Sequence, residues 1–272
     1  MPRLDRLLTL YCFRPLCTLR LANNPAVPIL MYHSISDADE SVHPYYRINT
    51  LTKVFADHMR FLAAQGYRTI SLTEAGAEEC DSRSVVITFD DGYDDFYFEA
   101  FPILKACGFQ ATVFLATAYV DGERFRGRRC LNWEQIRELH KAGVTFGSHT
   151  HTHPQLRYLS RPAVVQEIRK SKNIIEDRLG SAVTDFSYPY RFPEENGEFT
   201  TFISDELRNA GYTRCVTTMI GRYRSGGGAL FMKRLPANSA DDEALLSAKL
   251  KGSYDWLHTP QYLIKRIRSL ID

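Results

Sequence analysis

Short apolar runs alternating with longer stretches of helical periodicity constrain this chain more than any other feature. Pro28 to His33, Arg68 to Ile70, Val85 to Phe89, Ala111 to Leu115, Val144 to Ser148, Asp185 to Tyr188, Tyr212 to Thr217 and Ala229 to Lys233 read as strands. Between them, Phe55, Met59 and Leu62 share a helical face that Gly66 stops, and Phe98 to Cys107 forms a helix ending at Gly108. Asn132 caps a helix with Trp133, Ile136 and Leu139 inside; Ser160 opens a long one carrying Val164, Ile168, Ile175 and Leu179; a shorter one runs from Ser204 to Ala210. Such alternation dictates a parallel sheet built from right-handed crossovers, with seven or eight strands on this reading. A chain of 272 residues suffices for one α/β domain of barrel size. Polar constellations follow three of the strands at their carboxyl ends, where both barrels and open α/β sheets form their sites.

A net charge of +2 without a Lys/Arg-rich tract argues against a nucleic-acid partner. The six cysteines lack CxxC spacing and read as reduced thiols. After Arg3 and Arg6 the apolar run Leu7 to Phe13 ends at Arg14-Pro15, too short for a membrane span and without a clean cleavage site. Residues 4 to 21 read as an amphipathic helix with Arg14 and Arg20 among its polar positions, packed on the protein body or lying on a membrane; the expected location is cytoplasmic or peripheral to the membrane. The expected organisation is an N-terminal segment over 1–24, one domain over 25–245, and a helical segment over 246–272 in which Trp256, Tyr262, Ile264 and Ile267 pack. Gly226-Gly227-Gly228 precedes a strand instead of opening a helix, so it reads as a hairpin or loop and not as a phosphate cradle.

Chemistry concentrates at Thr88-Phe89-Asp90-Asp91-Gly92 and His149-Thr150-His151-Thr152-His153. Gly92 permits a tight turn in which both carboxylates approach one cavity. Two ionised carboxylates there would repel, and a divalent ion removes that conflict. A helical turn from Thr150 would align His149 with His153 and turn His151 away. Two imidazoles and one carboxylate leave coordination positions open, with the second carboxylate free to act as a base. Zinc suits the set, as do iron, cobalt and nickel.

In these motifs the chain resembles the polysaccharide deacetylases of the NodB-homology family, carbohydrate esterase family 4, over Pro28 to Pro236. The resemblance implies a distorted or incomplete (β/α) barrel of about seven parallel strands. It assigns Asp90 as base and Asp91, His149 and His153 as metal ligands. The family's third motif, arginine followed by Pro-Pro-Tyr-Gly, is matched in Ser187-Tyr188-Pro189-Tyr190-Arg191 only at Pro189 and Tyr190. These would line the substrate groove, with the Tyr190 N–H helping to hold the oxyanion. The Leu-x-x-His motif that carries the family's general acid has no match; His258 lies past the last core strand, and His33, ending the first strand, is better placed. Arg234, after the last strand, either hydrogen-bonds Asp90 or forms a surface salt bridge. The implied activity is divalent-metal-dependent removal of N-acetyl groups from an acetylated sugar or polysaccharide. Hydrolysis of a small non-glycan amide is the enzymatic alternative, and a noncatalytic glycan-binding protein that retains the metal site is the alternative of another class. Asp39 to Tyr46 and Phe125 to Cys130 read as rim loops.

Overall fold

The computed structural model describes residues 3–19, 26–38, 40, 47–76, 80–121, 124–224 and 228–268. Arg20, Asp39, positions 41–46, Gly226, Gly227 and the side chain of Cys17 lie outside that set. Seven parallel strands follow one another around a ring in chain order: β1 (Ile29–Tyr32), β2 (Ser84–Phe89), β3 (Thr112–Leu115), β4 (Thr145–Ser148), β5 (Asp185–Ser187), β6 (Arg214–Ile220) and β7 (Met232–Pro236). Leu235 of β7 sits opposite Leu30 of β1, and Ile29 of β1 opposite Val86 of β2, which closes the ring. The barrel is distorted at two places. A single register pair, Ser148 with Phe186, joins β4 to β5, and the register shifts between Val216 and Ile220 of β6. The short strand Arg68–Thr69 pairs only with Ser84 and Val85 at the start of β2, outside the ring, which is why eight strand-like runs make seven barrel strands.

Side-chain alternation divides the apolar residues into two groups. Ile29, Val86, Phe114, Val216 and Met232 form a compact cluster in the lumen, while Leu30, Val85, Ile87, Val113, Leu115 and Leu235 pack beneath the helices in the larger core. Phe114 requires its neighbour on β4 to be glycine, because a Cβ on Gly147 would lie 2.6 Å from that ring and 2.8 Å from the Asp185 carbonyl.

The outer helices are α1 (Thr52–Ala64), α2 (Phe101–Ala106), α3 (Trp133–Lys141), α4 (Arg161–Leu179), α5 (Gly197–Asn209), α6 (Glu243–Leu250) and α7 (His258–Arg268). Helix α5 starts earlier than Ser204, because the Asn196 side chain caps the Phe199 N–H. The last strand is displaced from Ala229–Lys233 to Met232–Pro236, which moves Arg234 from beyond the strand into it.

The N-terminal helical segment Leu4–Leu19 packs on the body through Asp5, Thr9 and Phe13. Tyr254 donates to Asp5, the Trp256 indole N–H donates to Thr9, and Phe13 stacks on Trp256 at 4.7 Å. Trp256 therefore packs where the sequence places it, but Ile264 and Ile267 do not: they are 51% and 57% exposed. Helix α7 instead turns Lys265 inward to Glu194, at 2.8 Å, and that ion pair sets its rotation. No described helix is long and apolar enough to cross a membrane. Cys12, Cys80, Cys107, Cys130 and Cys215 are free thiols.

Candidate metal and catalytic site

The site occupies the carboxyl-terminal mouth of the barrel, where lumenal alternation ends in polar residues. On β2 the inward series Val86, Thr88, Asp90 carries the first carboxylate into the mouth. A continued strand would point Asp91 outward. Asp91 and Gly92 instead both adopt left-handed backbone, φ 72° and 66°, and this turn brings the second carboxylate back toward the same cavity. Gly92 also has no room for a Cβ, which would lie 2.7 Å from Leu115 Cδ2.

The histidines converge by a different route from the helical turn that their spacing suggests. Thr150 and His153 take left-handed φ values of 68° and 55°, and residues 150–153 form no helix. The Glu167 carboxylate on α4 holds this loop, accepting the His151 and Thr152 N–H groups at 2.8 Å and the Thr152 hydroxyl at 2.7 Å. The His153 N–H donates to Thr150 Oγ1 at 3.0 Å. His151 is turned away, its Nδ1 2.9 Å from Thr117 Oγ1. Nothing in the local sequence signals Glu167, since it comes from the next helix.

His149 donates Nδ1–H to the Ser187 carbonyl at 2.7 Å, which leaves the Nε2 lone pair directed into the cavity. That atom lies 3.1 Å from His153 Nε2 and 3.6 Å from Asp91 Oδ1, and His153 Nε2 lies 3.4 Å from the same oxygen. Donors bound tetrahedrally at zinc-like distances stand about 3.3–3.6 Å apart, so the triangle fits a single ion. Asp91 Oδ1 is fully buried and accepts no hydrogen bond. Burial, with Asp90 nearby, raises the Asp91 carboxyl to about 6, and burial followed by the charge of His149 pushes His153 down to about 2. Two buried imidazole nitrogens converging on a buried, unpartnered carboxylate oxygen at these spacings are the arrangement of a cation site.

Asp90 stands beside this triad, its Oδ2 3.9 Å from His149 Nε2. Arg234 Nη1 and Nη2 donate to its two oxygens at 2.8 and 2.7 Å, and Ser187 donates to Oδ1 at 3.1 Å. Arg234 is 1% exposed and also donates to Thr88 Oγ1, Ser187 Oγ and the Thr217 carbonyl. Arg234 is thus no surface salt bridge but the polar floor of the mouth, reaching across the lumen from β7 to β2. Burial alone would raise the Asp90 carboxyl, but the Arg234 charge, then His149 and the Arg234 hydrogen bonds, hold it well below the usual carboxylate range. Ser187, which departs from the resembling family's arginine, joins both members of the pair.

Pro189 is buried, and Tyr190 follows it with a left-handed φ of 57° and its ring 4.6 Å from that of His153. No acceptor among the described residues takes the Tyr190 N–H. His33 follows β1 into the mouth, where burial first, and then Arg234 against the opposing charge of Asp90, moves its imidazole down to about 4. His258 is remote from the triad and pairs with Glu194 at 2.8 Å. One side of the mouth is walled by the hairpin Arg124–Phe125/Arg128–Arg129, whose Phe125 ring lies 4.9 Å from His153.

Comparison with known proteins agrees with this geometry. The protein YxkH of Bacillus subtilis is 32% identical over 200 residues, 72% of this chain and 65% of that protein. The poly-beta-1,6-N-acetyl-D-glucosamine N-deacetylase of Staphylococcus aureus is 29% identical over 117 residues, 40% of each chain. This chain thus spans less than two thirds of either relative. Among solved structures, the Streptococcus pyogenes deacetylase PplD in complex with acetate superimposes with a TM-score of 0.71 at 24% identity, covering 84% of this chain and 99% of that one. IcaB from Ammonifex degensii gives 0.70 at 23% identity, covering 84% and 97%. Both share the barrel. The polysaccharide deacetylase family model matches residues 77–214, which run from the approach to β2 through the Asp90-Asp91 turn, the histidine loop and Tyr190 into β6, and the chain belongs to the polysaccharide deacetylase family.

Proposed function

We propose that the protein is a divalent-metal-dependent hydrolase that removes N-acetyl groups from an acetylated sugar or polysaccharide. The observation that carries this reading is Asp90: a buried carboxylate, kept charged by Arg234, beside a two-histidine, one-carboxylate cluster that it does not join. A glycan-binding module that used the ion only to hold its ligand would need the cluster and gain nothing from a second, separately anchored carboxylate.

Asp91, His149 and His153 would hold the ion, with zinc the first candidate and iron, cobalt and nickel also compatible. A carboxylate held as firmly as Asp90 is a weak base, so the reaction needs acidified water and a polarised carbonyl, and a divalent ion supplies both when bound. Asp90 accepts the proton of the attacking water, and Arg234 with Ser187 fixes the carboxylate in the orientation to do so. The Tyr190 N–H, without an acceptor of its own, donates to the oxygen on which negative charge develops. Pro189 and the Tyr190 ring line the groove for the sugar. His33, neutral at rest because burial moves its imidazole down to about 4, would receive the proton that Asp90 takes from the water and pass it to the leaving nitrogen.

Acetate release measures the proposal: metal-saturated protein is incubated with N-acetylglucosamine oligomers, including β-1,6-linked ones, peptidoglycan fragments and small amides, with and without chelator. Release from acetylated saccharides that stops on chelation and returns with added ion supports it. Absence of release from every saccharide by metal-loaded protein, or undiminished release with Asp90→Asn, overturns it; release from small amides alone transfers the same chemistry to a non-glycan substrate.

A further inference from the structure

The hairpin beside the metal cluster carries four arginines, and three have partners that explain them. Arg124 donates to the Gly127 carbonyl at 2.9 Å, Arg129 lies 3.6 Å from Asp94, and Arg128 donates to Ser34 and Ser36 while pairing with Glu40 at 2.9 Å. Arg126 differs in having no carboxylate or carbonyl partner among the described residues; its guanidinium meets only the Tyr190 side chain and the neighbouring ring of Phe125. With Gly127 it forms the two-residue turn of the hairpin, both residues left-handed at φ 50° and 79°. Turns of this type favour asparagine or glycine at the first position, and a left-handed arginine costs roughly 1–2 kcal/mol. Strain of this kind concentrates where a side chain must be presented to a ligand.

The presentation is rigid. Phe125 packs against Tyr119 and Tyr93, with ring centroids 4.6 and 6.2 Å away, and Arg128 ties the other strand of the hairpin to the Ser34–Glu40 segment. The Arg126 guanidinium lies over both the Phe125 and Tyr190 rings, 5.1 Å from each centroid, and those two rings flank His153. No described carboxylate lies within ion-pair distance of it, and the residue is solvent-exposed. The guanidinium thus covers aromatic faces on which a neutral sugar would otherwise stack, and it offers a flat array of N–H donors there instead. Arg234 and Arg126 already match the two carboxylates Asp90 and Asp91, so a bound divalent ion leaves the mouth with excess positive charge.

We propose that Arg126 selects substrates that carry an anionic group, carboxylate or phosphate, on the acetylated sugar or on the unit next to it. The inference rests on the proposed deacetylase reading for its turnover assay and stands apart from it in binding. The experiment compares kcat/KM for an N-acetylglucosamine oligomer with the values for the same oligomer bearing 3-O-lactyl carboxylates and, separately, 6-phosphates. Metal-saturated wild type, Arg126→Ala and Arg126→Lys are tested, and calorimetry follows binding of each oligomer. Wild type should prefer an anionic form, and the preference should weaken as salt is raised. In Arg126→Ala the anionic-to-neutral ratio should fall about 10–100-fold, mainly through KM, with Arg126→Lys recovering part of it because it restores the charge without the planar fork. The arm that responds tells carboxylate from phosphate. A wild type without anionic preference, or a ratio unaltered in Arg126→Ala, overturns the proposal. If no oligomer is hydrolysed by wild type, the reaction reading fails, and selective calorimetric binding of the anionic oligomer, lost in Arg126→Ala, still upholds the assignment of Arg126.

Discussion

Arg234→Met isolates what the barrel floor does for Asp90. The thioether fills much of the arginine stem's volume but removes the bidentate contact to Asp90 and the donations to Thr88, Ser187 and the Thr217 carbonyl. Asp90 is 2% exposed, so its charge would remain buried without a counterion. Breaking one side of a buried ion pair costs about 3–5 kcal/mol. For a domain of this size that corresponds to a fall in Tm of roughly 5–10 °C.

The decisive measurement is a double-mutant cycle by urea unfolding of chelated protein. In Arg234→Met/Asp90→Asn neither member of the pair is left as an uncompensated charge, so the double variant should be more stable than the sum of the single losses predicts, by about 1–3 kcal/mol. Acidity supplies an independent check of sign. The wild-type Asp90 carboxyl is depressed, so its contribution is complete above the unfolded value near ~4 and is lost only as pH falls through the folded value. In Arg234→Met, burial acts unopposed and raises the carboxyl, so the penalty is full at neutral pH and shrinks on acidification. The stability gap between the two proteins should therefore narrow between about pH 7 and pH 4. Strictly additive losses, or a gap that widens on acidification, would refute the view that Arg234 acts as the counterion of Asp90.

Asp90→Asn should reduce acetate release by about 10²–10⁴ while calorimetry shows the ion still bound, because the amide keeps the shape and cannot accept a proton. His149→Ala should lose ion and activity together, as metal analysis of the dialysed protein would show. Zinc affinity should be highest above about pH 6 and weaken by up to tenfold per unit below it, since protonation of Asp91, whose carboxyl burial raises to about 6, competes with the ion; affinity that is flat between pH 7 and pH 5 in competition titrations would contradict this. Glu167→Gln should weaken ion binding without touching the ion, because the loop bearing His153 loses its charged acceptor, and an unchanged dissociation constant would count against that role.

What the sequence made legible was decided by range. Strand–helix alternation is a local pattern, and with it came the parallel sheet and the positions of Asp90-Asp91 and His149/His153 at strand ends, while closure into a barrel came from the family resemblance. The convergence of those residues was readable because each motif carries its ligands within a few positions. The way the histidines converge was not: a four-residue spacing suggests a helical turn, and the observed loop exists because Glu167, from a helix farther along the chain, accepts its N–H groups. Arg234 shows the same limit from the other side. A shift of about three residues in the last strand decides whether it reaches solvent or the lumen, and strand ends are where local patterns are least informative. Ser187 looked like a departure from the resembling family's arginine, yet in three dimensions it bridges Asp90 to Arg234. The charge that steadies Asp90 arrives from β7, outside the span matched by the family model, so substitutions at residue 187 and residue 234 must be read as changes to one network.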